Sequence, residues 1–152
     1  MTKRALRIGI TASGGDLVPS AFMSLRKNRQ LSFEIHAFNA AFAPLSAQLA
    51  DKFHILPSGE HPDFAAKVMD YLNQSPLDVL MPWSDEEAMA LSKTRNEISK
   101  MGCVVLTSPP DVLETITDKA KTYDLLKKEG LKVPEYSLAG TSEEVRRAVI
   151  AY

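Results

Sequence analysis

Residues 77–91 read LDVLMPWSDEEAMAL. Leu77, Val79, Leu80 and Met81 make an almost unbroken apolar run, as expected of a strand covered on both faces in a parallel sheet. Pro82 breaks the run. Ser84 then stands three residues before Glu87, the spacing of a capping box that opens a helix. A buried strand, a short loop and a helix form half of a β-α-β unit, and the fold follows if the rest of the chain repeats the pattern.

It does so in both directions. Towards the N-terminus, a helix starting at Pro62 carries Phe64, Ala65, Val68, Met69 and Leu72 on one apolar face, and strands are expected at residues 53–56, 33–38 and 7–11. Between them lie a short helix at 45–50 and a longer one at 17–27, the latter entered through the turn Ser13-Gly14-Gly15. Towards the C-terminus, the helix from Ser84 ends near Gly102, residues 103–107 form a fifth strand, and a short helix covers 109–116. This alternation predicts an α/β fold: a Rossmann-like three-layer αβα domain with a mainly parallel five-stranded sheet, order 3-2-1-4-5, joined by right-handed crossovers.

The segment TDKAKTYDLLKKEGLKVPEY, residues 117–136, reads as a helix capped by Gly130 and blocked by Pro134, then an extended run expected to form a strand at 135–138. Thr141 and Glu144 make a second capping box, followed by the stripe Val145, Ala148, Val149 and Tyr152. We expect a boundary between residues 1–117 and 118–152. The apolar stripe stops half used at Tyr152, so the polypeptide is expected to be the front part of a longer protein.

Composition removes several functions. The 152 residues are 45% hydrophobic and 24% charged with a net charge of −1, and no basic stripe interleaves with aromatics, so nucleic acid is not an expected partner. No apolar run approaches the roughly 20 residues that span a bilayer, so no membrane partner is expected. The basic and then apolar start, residues 1–11, is read as a first strand rather than a signal peptide. Cys103 is the sole cysteine, which excludes an internal disulfide, makes a cytoplasmic location the default, and reads as a small buried hydrophobe. His36, His54 and His61 show no metal-ligand spacing, and no nucleophile–base grouping is legible, so neither metal nor catalytic residues are assigned.

In an open parallel sheet, ligands bind at the C-terminal strand ends where the strand order reverses, here between the first and fourth strands. Gly14 and Gly15 allow a ligand close to the backbone, or serve only a tight turn. Asp85 and Glu86 occupy the first turn of a helix, where acids are favoured electrostatically, or where they meet an amine-bearing substrate or another domain. Lys119, beside Asp118 at a helix start, opposes the helix dipole by a few tenths of a kcal/mol. It either points into water or awaits an anion. The glycine turn is neither GxGxxG nor a Walker loop, and Asn39 stands where a dinucleotide site normally has an acid.

The segment DKAKTYDLLKKEGLKVPEYSLA resembles the passage of ATP-grasp enzymes from their N-terminal domain into the nucleotide-binding domain, through Asp118, Lys119, Tyr123, Leu126, Gly130, Val133 and Pro134. DVLMPWSDEEAMAL is similar to a strand-loop-helix of the carbamoyl-phosphate-synthetase-like branch. The resemblance implies a pre-ATP-grasp domain in an ATP-dependent ligase that joins a carboxylate to an amine or other nucleophile through an acyl phosphate. It implies ATP and Mg2+ as cofactors of the full-length protein, with Lys119 on the ATP phosphates and Gly14 and Gly15 near the substrate. It further implies an ATP-grasp domain in cis, a small carboxylate or amine substrate, a homodimer as one option, and no activity for residues 1–152 alone. The rival readings are a dinucleotide- or nucleotide-sugar-binding Rossmann-like domain and a non-enzymatic receiver-like or sensor module.

Overall fold

The computed structural model describes residues 4–151, so Tyr152 of the expected stripe lies outside the described residues. The chain divides into two compact units, Met1–Leu113 and Glu114–Tyr152.

In the first unit the order is β1 (Leu6–Ile10), α1 (Val18–Arg26), β2 (Phe33–Asn39), α2 (Pro44–Leu49), β3 (Lys52–Ile55), α3 (Phe64–Gln74), β4 (Val79–Met81), α4 (Asp85–Lys93), α5 (Arg95–Lys100) and β5 (Val104–Val105). All pairings are parallel and the order is β3-β2-β1-β4-β5, as the alternation implied. Central β1 sets the register: Ile8 lies opposite Ile35 on one side and Val79 on the other.

Side chains alternate across the sheet and build a core on each face. Ile8, Ile10, Ile35 and Ala37 meet Val18 and Phe22 of α1. On the opposite face Phe38 and Leu80 meet Phe64, Val68 and Leu72 of α3, Leu91 of α4 and Ile98 of α5. Gly9 belongs to this second face. A Cβ there would lie 2.6 Å from Leu77 Cδ1 and 2.8 Å from Leu80 Cδ1, so the core closes over β1 only because the side chain is missing. Cys103 is buried, and burial pushes its thiol up to about 11, which fits a packing residue rather than a nucleophile.

Polar groups are organised below and beside the sheet. His36 and His54 are joined through one phenol, with Tyr71 Oη 2.6 Å from His36 Nδ1 and 3.0 Å from His54 Nε2. Asp78 accepts Arg4 Nη2 and Nη1 at 2.6 and 2.8 Å and the Arg7 amide at 2.8 Å. The Arg4 guanidinium, followed by the Arg7 amide, holds the Asp78 carboxyl at about 2, below its ordinary 3.8. Because the folded value is the lower one, the stabilisation is full above pH ~4 and is lost as pH falls towards 2. Glu34, held at about 2 by Lys52 and His36, acts in the same window. Urea midpoints are therefore expected to drop between pH 4.5 and 2. Asp78→Asn should flatten that drop by about 1 kcal/mol, the small figure reflecting solvent screening of Arg4. An unchanged pH profile in the variant would refute this linkage.

Two expected elements differ. The helix opened by Ser84 is interrupted at Thr94, which ends α4 and starts α5, its hydroxyl donating to Leu91 O at 3.4 Å. Such back-bonding bends helices. Residues 135–138 form no strand, since no strand partner lies in their unit among the described residues and a lone strand has no ladder to join.

Helix α6 (Pro110–Ile116) carries the boundary between the units. The second unit holds α7 (Lys119–Lys128) and α8 (Ser142–Ala151). Gly130, at φ +75°, closes α7 through Leu131 N to Leu126 O and Gly130 N to Lys127 O, a Schellman arrangement. The second capping box is complete: Thr141 Oγ1 accepts the Glu144 amide at 3.2 Å, and Glu144 Oε2 accepts the Thr141 amide at 3.0 Å.

Candidate functional site at the switch point

The strand order reverses between β1 and β4, and the chain beyond β1 is tied down on both sides. Thr11 N donates to Met81 O at 3.1 Å, and Ser13 N donates to Phe38 O at 3.0 Å. Between them Ala12 takes φ 47°, the left-handed region that costs a residue with a Cβ about 1–2 kcal/mol. That conformation turns the backbone across the top of the sheet. Asn39, at the end of β2, then holds the loop: its Oδ1 accepts the Gly14 amide at 3.1 Å while its Nδ2 donates to Ala41 O at 2.9 Å.

Two clefts open here. The first, about 390 Å³, is lined by Gly14, Gly15, Asp16, Asn39, Phe42 and Ser46 among others. The α1 amides behind the glycines are occupied internally, with Val18 N on Gly15 O and Ser20 N on Leu17 O, and Pro19 has none. The second cleft, about 330 Å³, lies between Ala12, Asn39, the loop Ser58-Gly59-Glu60, and Ser84, Glu86 and Glu87. The expected site residues are thus divided. Gly14 and Gly15 line one cleft, Glu86 lines the other, and Asp85 is exposed and lines neither. Asn39 is common to both.

Glu87 has a place the sequence did not disclose. The Ser84 hydroxyl accepts the Glu87 amide at 3.3 Å, which is half of the expected capping box. The Glu87 side chain turns instead into the end of β1, where it is 5% exposed. Burial pushes its carboxyl up, while the adjacent Thr11 hydroxyl and Ala12 amide draw it part of the way back. Neither Thr11 Oγ1 nor Glu87 Oε2 completes a hydrogen bond of normal geometry within the described residues, and Ser13 Oγ is likewise buried and unpartnered. The available signal was register: Glu87 stands one turn before buried Leu91 on the inward face of α4. Gly59 makes this approach possible, since a Cβ there would fall 2.5 Å from Glu87 N.

In the second unit, Asp118 is the N-cap of α7, and its Oδ1 accepts the Ala120 and Lys121 amides at 2.9 and 3.2 Å. Those amides beside Lys119 are therefore taken by the chain's own carboxylate. Lys119 is exposed and forms no ion pair among the described residues.

No protein-family model matches the sequence. Among solved structures, the biotin carboxylase domain of a single-chain bacterial carboxylase superposes with a TM-score of 0.58 at 18% identity, over 97% of this chain and 34% of that one. The biotin carboxylase domain dimer of the Hydrogenobacter thermophilus 2-oxoglutarate carboxylase, in complex with MgADP, ADP and bicarbonate, gives 0.55 at 16% identity, over 98% of this chain and 33% of that one. At these identities the likeness is one of fold alone: the chain has the α/β fold of the biotin carboxylase N-terminal domain. In sequence the chain is 29% identical, over 143 residues, to the carbamoyl phosphate synthase large chain of Pyrococcus furiosus. The match takes in 92% of this chain and spans 13% of the relative's length. The resemblance to the carbamoyl-phosphate-synthetase-like branch of ATP-grasp enzymes is therefore borne out.

Proposed function

We propose that this chain is the pre-ATP-grasp domain of an ATP-dependent ligase, one that activates a carboxylate as an acyl phosphate and passes it to an amine or other nucleophile. The observation that carries the reading is the kinship with a carbamoyl phosphate synthase large chain over nearly the whole sequence. The clefts support it by their position at the C-terminal ends of β1 and β4, where α/β sheets take ligands. In this reading Gly14 and Gly15 border the substrate in one cleft, Glu86 borders it in the other, and Asp85 meets a neighbouring domain or the substrate from the rim. Lys119 contributes an ammonium group to ATP phosphates.

The residues of this chain do not by themselves fit ATP or Mg2+. No group of three or more His, Cys, Asp and Glu able to hold a metal occurs among the described residues. The α7 amides that could cradle a phosphate are taken by Asp118. In this reading residues 1–152 alone are expected to release no phosphate from ATP.

The test uses the complete gene product. ATP-dependent phosphate release should require a carboxylate and an amine, and Lys119→Ala should raise the KM for ATP about tenfold while leaving the melting temperature unchanged. Tenfold corresponds to about 1.4 kcal/mol, within the range of one charge-assisted contact. Unchanged KM and kcat would remove Lys119 from the site. Absence of ATP turnover with every carboxylate and amine pair would overturn the ligase reading.

A further inference from the structure

We propose that the cleft between Ala12, Gly59 and Glu86 binds a protonated amine, held by Glu86 at its mouth and by Glu87 at its floor. The inference deepens the ligase reading and rests on it, for it names the charged group by which the amine or carboxylate substrate would be seized.

Charge is the first ground. Glu60, Glu86 and Glu87 line the cleft, with Asn39, Ser58 and Ser84 as neutral acceptors or donors, and no Lys, Arg or His lines it. Such a wall repels anions and attracts cations. The second ground is independent of that cluster. Glu87 is nine-tenths buried, lines the cleft, and keeps Oε2 without a hydrogen bond of normal geometry among the described residues, although the Thr11 hydroxyl and the Ala12 amide lie beside its carboxyl. A buried polar atom left unpaired is costly, so a donor that satisfied it would be held there.

The choice of donor follows from what the cleft lacks. No metal-holding group of His, Cys, Asp and Glu exists among the described residues, so a bare divalent ion has too few ligands. An ammonium group brings one charge and three donors, matching two carboxylates and a neutral acceptor. A volume of about 330 Å³ sits at the small end of ligand sites, enough for a diamine or an amino acid.

Titration of the 152-residue chain with 1,4-diaminobutane at constant ionic strength, followed by amide NMR, tests the proposal. Saturable shifts are expected at Ala12, Gly59, Glu86 and Glu87, with none from 1,4-butanediol or succinate. Glu87→Gln should weaken the diamine at least about fivefold. If that variant does not fold, the exposed Glu86→Gln carries the test and should weaken it about threefold. No saturable shift, equal shifts from the diol, or undiminished affinity in the folded variant would each overturn the site. The titration contains no ATP, so its failure leaves the ligase reading standing. Loss of that reading through absent ATP turnover would in turn leave the binding result intact.

Discussion

Phe22→Ala is expected to cost about 3–5 kcal/mol of unfolding free energy, the range for removing a fully buried phenylalanine and leaving part of the space empty. Phe22 is 0% exposed. It stands one helical turn after Val18 on α1 and packs with Ile8, Ile10, Ile35 and Ala37, the side chains that cover β1 and β2 on that face. Small domains have only about 5–15 kcal/mol in all, so a large share of the total rests on one ring. The other face has three helices over it and can relax, but this side relies on α1 for most of its buried cover. In urea denaturation the midpoint should fall with little change in slope, because the exposed area on unfolding is nearly the same. A loss under 1 kcal/mol would show that the face collapses freely around the gap, contrary to the packing described.

Gly59→Ala should cost about 2–3 kcal/mol, the upper part of the range for overpacking. The added Cβ would lie 2.5 Å from Glu87 N, 2.7 Å from Glu87 Cγ and 2.8 Å from Glu86 C. Two of these three are backbone atoms in the first turn of α4, which cannot swing aside as a flexible side chain would. Relief requires moving the β3–α3 loop away from α4, and that movement changes the cleft as well as the stability. Gly15→Ala is the control, since its nearest neighbours would be Ala12 O at 3.5 Å and Val18 Cγ2 at 3.6 Å, ordinary contacts. Its melting temperature should match the parent within about 2 °C, while Gly59→Ala should fall by several times that. Equal behaviour of the two alanines would refute the close approach.

The elements that could be read in advance are those whose signals are local. The apolar run through Leu80 requires cover on both faces wherever it lies, and it lies in the middle of the sheet beside β1. Gly130 and the Thr141–Glu144 pair act within one turn of their own helices, so their reading needed no knowledge of the rest. What escaped reading depends on partners distant in the chain. Glu87 has the right spacing to return to Ser84, and only the proximity of Thr11, brought there by strand pairing, offers its carboxyl another destination. Gly59 looks like any loop glycine until α4 is placed over it. Residues 135–138 have strand composition without a partner strand among the described residues of their unit, and composition alone forms no ladder. The switch point itself was legible from strand order, whereas the separation of Gly14 and Glu86 into two clefts depends on how the Asn39 amide pins the loop between them.

The bonds from Asp118 to the first amides of α7 bear on the phosphate-contacting role proposed for Lys119. With the positive end of that helix already quenched from within, the lysine is a tethered point charge on four flexible carbons, unsupported by any fixed fan of donors. It can tell the sign of a visitor but not its outline. In that proposed role, selection among sulfate, phosphate and nucleotide would fall to some other surface, and added salt should erode the attraction as readily as it erodes that of any exposed charge.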